Sequence, residues 1–364
     1  MTNLSRRDFL KWSALGLAGL AGSAYRPWDN GALLQSDWPE GQQLGRNCVG
    51  GMINLRSQPS EDAPVVEQLY EDTVVVWQRE VVGEPPSGTY SRRWVETPKG
   101  YLYAPSVQPV FYRPNQPVST LEDTSLGRGM WVEVTVPYVD IFLVQEKPAS
   151  PWLQAIPRPR LYYGQVMWID DITTNSNNQV LYRVGEQYGS YGDVFWAAAE
   201  AFRPITPEDI APIHPEIAEK KIVVDLNHQV LSCFEGQQEV YFCRISSGAK
   251  FDAQGNAVDK WATPVGPHPI WRKLISVHMS GGSTGAGWDT PGIGWTTFFA
   301  QEGVAIHSTF WHNDFGAARS HGCVNATIED SKWIFRWTQP EVSYAPGDVT
   351  VGMPGGTIVD VVGV

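Results

Sequence analysis

Apolar residues along this chain fall in short runs broken by glycine, proline and polar turns, a pattern that predicts strands rather than long helices. Val65-Val66, Leu69 to Val76, Trp94-Val95-Glu96 and Gly100-Tyr101-Leu102 predict one set of short strands at regular turns. Met130 to Val144 opens a second set. A weak internal repeat links the two. Leu69-Tyr70-Glu71-Asp72-Thr73-Val74 matches Leu161-Tyr162-Tyr163-Gly164-Gln165-Val166 in pattern, Trp94-Val95 matches Tyr182-Arg183-Val184, and Tyr103-Ala104-Pro105 matches Trp196-Ala197-Ala198 more loosely. Arg203 to Glu219 carries Pro204, Pro207, Pro212 and Pro215 and reads as a linker that no long helix can occupy. Strands resume from Lys221 to about Thr297. A two-residue turn near Glu235-Gly236 is expected to pair Phe234 with Gln237 and Cys233 with Gln238. The Gly-rich loop 281–287 lacks the Lys-Ser/Thr and the helix of a phosphate loop, and reads either as a lid or rim over the cleft or as an inert hairpin tip. Trp295 to Phe299 predicts a strand beside Gly303-Val304-Ala305-Ile306, itself a buried strand ending at His307. Thr327 to Trp337 has the helical period, with Thr327 as cap, Asp330 three residues on, and Trp333, Ile334 and Trp337 on one face. Cys323 is then expected in the loop that feeds this helix.

Composition agrees with the pattern and adds limits. The chain has 364 residues, enough for two or three domains, and 16 Trp, 35 Gly and 27 Pro favour strands and turns. A net charge of −12 argues against a nucleic-acid partner. Ser5-Arg6-Arg7-Asp8-Phe9-Leu10-Lys11 is a twin-arginine pattern, and the weakly apolar run Trp12 to Ala24 is short for a bilayer span. Residues 1–24 are therefore expected to direct export through the twin-arginine route, to the periplasm or the outer face of the cytoplasmic membrane and wall. Cleavage near Ala24 and an uncleaved anchor both stay open. Four cysteines, Cys48, Cys233, Cys243 and Cys323, are too few for a disulfide scaffold in so long a chain.

The chemistry concentrates between His307 and Asn325. This stretch holds Cys323, three of the seven histidines and the run Ser320-His321-Gly322-Cys323-Val324-Asn325. A thiol reacts as thiolate, needs a base to take its proton, and needs a third group to hold that base in the right tautomer. His307 and His321 are both candidates for the base. Gly322 leaves room for backbone N–H groups to face an oxyanion. Two plainer readings compete: an inert loop cysteine, or a zinc site drawn from His307, His312, His321 and Cys323, which lacks any familiar ligand spacing. Phe310, Trp311 and Phe315 read as packing, and His268 and His278 as strand or surface residues.

His307 followed by Ser320-His321-Gly322-Cys323-Val324-Asn325 resembles the signature of the L,D-transpeptidases of bacterial cell walls. The likeness reaches upstream to about Glu219: Lys221 to Leu226 with Gln229-Val230-Leu231 resembles that family's opening hairpin. Ser246-Ser247-Gly248 and Ala262-Thr263-Pro264-Val265-Gly266 resemble its Ser-x-Gly and Thr-Pro-x-Gly segments. Two departures stand out: Ser308-Thr309 follows His307 where the family commonly has His-Gly, and the 13 residues from His307 to Ser320 are few for it. Further upstream, Asn54-Leu55-Arg56-Ser57-Gln58-Pro59, Trp94 and Gly100-Tyr101 are similar to a bacterial SH3-like domain.

The resemblance implies a mostly β protein: an L,D-transpeptidase-like β-sandwich with a short helix, preceded by two small SH3-like β-barrels. The expected boundaries are a signal segment at 1–24, a linker at 25–44, SH3-like units at 45–110 and 127–205, a Pro-rich linker at 206–218 and a catalytic domain at 219–352. It implies peptidoglycan stem peptides as substrate, with Cys323 as nucleophile, His307 as base, the Ser308 carbonyl orienting His307, and the N–H groups of Gly322 and Cys323 as oxyanion donors. Ser320, His321 and Asn325 would shape the loop and position substrate, and the charge of Arg319 suits a substrate carboxylate. The chemistry calls for no cofactor and no metal. An acyl-enzyme of this kind serves three acceptors: a stem amine (a 3→3 crosslink), water (carboxypeptidase) or a protein lysine. A non-catalytic wall-binding protein is the alternative outside enzymes. The SH3-like units suit binding of wall glycan or peptide, a spacer role or flanking walls of the active-site cleft equally, and the oligomeric state is left open.

Overall fold

A computed structural model describes residues 38–145, 147–156, 158–250, 256, 259–281 and 288–363. The twin-arginine segment, most of the 25–44 linker and residues 282–287 of the Gly-rich loop lie outside the described residues. The protein is mostly β. Helices among the described residues are short: Pro151–Ala155, Pro207–Ile210 and Ile328–Trp337.

Two small β units precede a larger one, and the small units share their wiring. In the first, Leu44–Asn47 lies between Val74–Val76 and Val107–Val110. A second sheet there orders Val65–Leu69, Ile53–Arg56, Gly100–Tyr103, Arg93–Thr97 and Arg79–Val82. Leu55, Trp77, Val95, Leu102 and Val107 fill the space between the sheets. In the next unit Met130–Val134 lies between Val166–Thr174 and Phe202–Pro204. In both, a single 3₁₀ turn (Ala104–Ser106, Ala199–Ala201) carries the chain into a last strand antiparallel to the first. The pairing therefore aligns Ala104 with Ala199, and the looser match of Tyr103-Ala104-Pro105 to Trp196-Ala197-Ala198 is out of step by two residues. Side-chain similarity alone cannot register a stretch this rich in alanine.

The third unit stacks two five-stranded sheets. One orders Gln238–Arg244, Val230–Glu235, Lys220–Asp225, Ile358–Val362 and Gly266–Pro269; the other orders Val324–Ala326, Ala305–Ser308, Trp288–Phe298, Arg272–Gly281 and Asp348–Thr350. Ile222, Val224, Leu231, Ile306, Val324 and Ile334 are fully buried in one core cluster of this unit, each contributing about 2 kcal/mol by area removed from water. Ile358–Val362 runs parallel to Lys220–Asp225 inside the first sheet, so the unit extends beyond the expected end at residue 352. The hairpin register also differs from expectation. Glu235 pairs with Gln238 and Cys233 with Tyr241 across a bulge, because Gly236 at φ +58 lets the turn close one residue later. All four cysteines are free. The helix Ile328–Trp337 starts where Thr327 Oγ1 accepts the Asp330 N–H at 3.1 Å, a cap worth about 1 kcal/mol. It buries Ile334, Phe335 and Trp337 and stacks Trp333 on Tyr241 with centroids 3.9 Å apart.

Candidate active site

His307 and Cys323 meet through a parallel strand pair. His307 is the third residue of Ala305–Ser308, and Cys323 comes immediately before Val324–Ala326. The register sets Ile306 opposite Val324 and His307 opposite Asn325. Cys323 thus leads into a strand and not directly into the helix, as the sequence pattern had suggested. A β ladder holds backbone positions more tightly than a free loop does. Both side chains line a cavity of about 330 Å³ whose walls include Met279, Trp288, Trp311 and Arg319.

The cysteine loop is gripped by the Ser-x-Gly and Thr-Pro-x-Gly segments. Ser247 O accepts the N–H groups of Arg319 and Ser320, both at 2.9 Å, and Ala249 N–H donates to Ser320 O at 2.8 Å. Ser246 and Asn325 exchange both backbone bonds at 2.9 Å. Thr263 Oγ1 accepts the Gly248 N–H at 2.9 Å and donates to Gly322 O at 2.8 Å. A Cβ at Gly248 would sit 1.9 Å from Trp261 O, so no other residue fits there.

Electrostatics favour a neutral resting pair. His307 is 3 % exposed, and its Nδ1–H donates to Ser308 O at 2.9 Å. Burial pushes its pKa down to about 4, the Ser308 carbonyl opposing only in part. Nε2 is left as the lone-pair nitrogen. Burial also pushes the Cys323 thiol up to about 11, against a lowering from the Ala305 N–H, and Sγ–H faces Gly303 O at 3.7 Å. The proton therefore rests on sulfur until something attracts the thiolate.

The other expected residues divide. Ser320 Oγ accepts the Gly322 N–H at 3.0 Å and donates to Cys323 O, which closes the turn. This corrects the expectation that Gly322 supplies an oxyanion donor: its N–H is spent inside the loop, and the Cys323 N–H is the remaining candidate of the two. Gly322 earns its place through a φ of +125, a backbone shape that side-chain-bearing residues rarely adopt. His321 is exposed, stacks on Trp288 at 4.4 Å and meets Trp261 edge-on at 4.6 Å. Its ring is held between two indoles at the rim, while His307 lies buried beside Cys323 in the cavity wall. Arg319 lines the cavity and pairs with Asp314 at 3.2 Å.

Further residues of this stretch line the cavity. His312 is 4 % exposed, and burial with the nearby Arg319 charge lowers its pKa to about 3. The Asp314 N–H donates to its Nδ1 at 3.1 Å, and its Nε2 lies 2.9 Å from the Asn325 amide nitrogen. Trp311, expected to be packing, lines the cavity, while Phe310 is buried. Among the described residues no group of three His, Cys, Asp or Glu side chains is arranged to hold a metal ion. His278, expected at the surface or in a strand, is a buried strand residue. Its Nδ1 meets Glu186 Oε2 at 2.7 Å and its Nε2 meets Asp289 Oδ1. No sequence signal announces these two partners, which with His278 make three separate segments.

Comparison with known proteins places the third unit. The YkuD family model, described as L,D-transpeptidase catalytic domain, matches residues 219–361. No curated protein matches. Among solved structures, a cysteine-to-serine mutant of the Enterococcus faecium L,D-transpeptidase is similar at 22% identity over 41% of this chain and 52% of that one, with a TM-score of 0.31. An L,D-transpeptidase from Mycobacterium smegmatis is similar at 18% identity over 50% and 90%, with a TM-score of 0.32. One from Xylanimonas cellulosilytica is similar at 23% identity over 44% and 65%, with a TM-score of 0.27. The match spans about half the length of the Enterococcus faecium chain.

Proposed function

We propose that residues 219–361, an L,D-transpeptidase catalytic domain by their family match, make this protein a cysteine acyltransferase that forms 3→3 crosslinks between peptidoglycan stem peptides. The observation that carries the reading is the tautomer of His307. With Nδ1–H given to Ser308 O, the basic Nε2 is the nitrogen available in the cavity that Cys323 shares.

In this mechanism Cys323 Sγ attacks the carbonyl joining the L-centre of the diamino acid to the terminal D-Ala. His307 Nε2 takes the thiol proton as the S–C bond forms. The C–N bond then breaks, the imidazolium returns its proton to the departing D-Ala amine, and a thioester remains. The amine of a second stem attacks that thioester. His307 takes a proton from it and passes the proton to the leaving Cys323 sulfur, which restores the thiol and leaves a new amide. The Cys323 N–H faces the oxyanion. Arg319 meets a substrate carboxylate, and Trp288, Trp311 and His321 give the stem an aromatic wall. The substrate lies outside the cytoplasmic membrane, so the function requires the export expected of residues 1–24.

The test is product analysis of a disaccharide-tetrapeptide incubated with the purified protein and with Cys323→Ala. Free D-Ala and a crosslinked dimer are expected from the wild type and neither from the variant. A tripeptide without dimer would make the acceptor water, and turnover by Cys323→Ala would sink the mechanism.

A further inference from the structure

A buried polar cluster ties the first β unit to the loop that follows His307. Arg46, in the strand Leu44–Asn47, is 3 % exposed. Its Nη1 meets Asp72 Oδ1 at 2.7 Å, its Nε and Nη2 meet Gln108 Oε1 at 3.0 and 2.8 Å, and Nη2 also donates to Phe310 O at 2.8 Å. The guanidinium lies over the Tyr162 ring, 4.1 Å from its centroid, and Tyr162 in turn stacks on Phe310 at 5.6 Å. The second Asp72 oxygen takes Arg160 Nη1 at 2.8 Å. The far end of the loop is held as well: the Asn313 N–H donates to Pro105 O at 3.0 Å, and Arg93 Nη1 donates to Asn313 O at 3.3 Å.

Burying a guanidinium is costly, and an apolar filler often serves stability as well. What the planar fork adds is a fixed geometry toward several acceptors at once. Here one acceptor is a backbone carbonyl of the site's own loop. Trp311, the next residue, packs edge-on against Phe310 at 5.0 Å and tilted on the His307 ring at 5.9 Å, and it lines the cavity. Ser308, whose carbonyl sets the His307 tautomer, begins the same loop.

We infer that Arg46 is a positioning residue for acyl transfer: its guanidinium fixes the Phe310 carbonyl and so holds Trp311 against His307 in the cavity wall. The inference rests on the Cys323–His307 reading above. It makes the first β unit a support behind the active-site wall, in place of a spacer.

The experiment follows acylation of the purified full chain by a carbapenem, by intact mass, across the acid range, for the wild type and Arg46→Lys. Lysine keeps a charge beside Asp72 but cannot span Gln108 and Phe310 O together. A folded Arg46→Lys is expected to acylate more slowly by about tenfold or more. Its acid limb should move up from near pH 4 toward the ordinary histidine value of about 6.5, since a displaced Trp311 admits water to the imidazole. A merely structural arginine would change the melting temperature and leave that limb in place. An unchanged rate and limb in the folded variant would overturn the inference. If Arg46→Lys does not fold, Tyr162→Leu, which removes the ring between Arg46 and Phe310, is read by the same two criteria. A wild-type chain that takes no adduct would sink the acyl-enzyme reading itself, and the inference with it.

Discussion

His307 and His278 stand in the same five-stranded sheet, separated by the strand Trp288–Phe298, and their surroundings drive them in opposite directions. Both are buried, which disfavours charge. His307 has only a peptide carbonyl to answer that, and its pKa falls to about 4. At His278 burial also works against the cation, but Glu186 and Asp289 outweigh it and hold the pKa above its ordinary value. Each carboxylate is itself engaged: Gly292 N–H donates to Glu186 at 2.9 Å and Trp152 N–H to Asp289 at 2.8 Å. One residue type is thus held toward its neutral form in one place and toward its cation, as a fastener, in another. The fastener joins the second β unit to the strands that carry Met279 and Trp288 into the cavity. The acceptor type, carbonyl or carboxylate, decides the role, and burial does not.

The largest effect that would sharpen this contrast is expected from His307→Gln. Loss of the base should lower acylation by about 10²- to 10⁴-fold, measured as the rate of adduct formation, while the melting temperature moves little. Retained acylation would remove His307 from the mechanism. His278→Gln should behave the other way. Two buried carboxylates would lose their cation, and unfolding in denaturant should show a loss of about 3–5 kcal/mol, with chemistry slowed only as far as the cavity wall moves. Wild-type stability in that variant would mean that the clasp is not charged.

The smallest effect is the pH dependence of stability, and its signs differ between the two sites. His307 and His312 have lowered folded values, about 4 and about 3. Their contribution is present above the unfolded value of about 6.5 and is lost as pH falls through the folded ones. His278 has a raised value, so its contribution is complete below about 6.5 and is lost as pH rises through the folded value. Denaturant midpoints against pH should therefore show a shallower acid loss in His307→Gln and no alkaline loss from this site in His278→Gln. Identical profiles in all three proteins would break the contrast.

Local signals in the sequence account for much of the site and little of its support. The thiol run around Cys323, the strand leading to His307 and the Thr327-capped helix each follow from residues adjacent in the chain. The strand between Cys323 and the helix was hidden because three residues carry no measurable period. The end of the third unit was hidden because Ile358–Val362 pairs in parallel with Lys220–Asp225 across most of the domain. Arg46 and Phe310 O, like Glu186 and His278, meet only once separate units pack, so no spacing rule could link them, whereas His278 and Asp289 face each other across one strand pair. For Gly322 the sequence suggests only room for N–H groups to face an oxyanion; its φ of +125 and the bond from its N–H to Ser320 Oγ appear only in the fold.

The central claim is that Cys323, served by neutral His307, forms a covalent acyl-enzyme. Its most direct test is the intact mass of the wild type and Cys323→Ala after incubation with a carbapenem. A single adduct on the wild type at neutral pH, absent from Cys323→Ala, is the predicted result. An adduct of equal yield on both proteins, or none on a folded wild type, would contradict it.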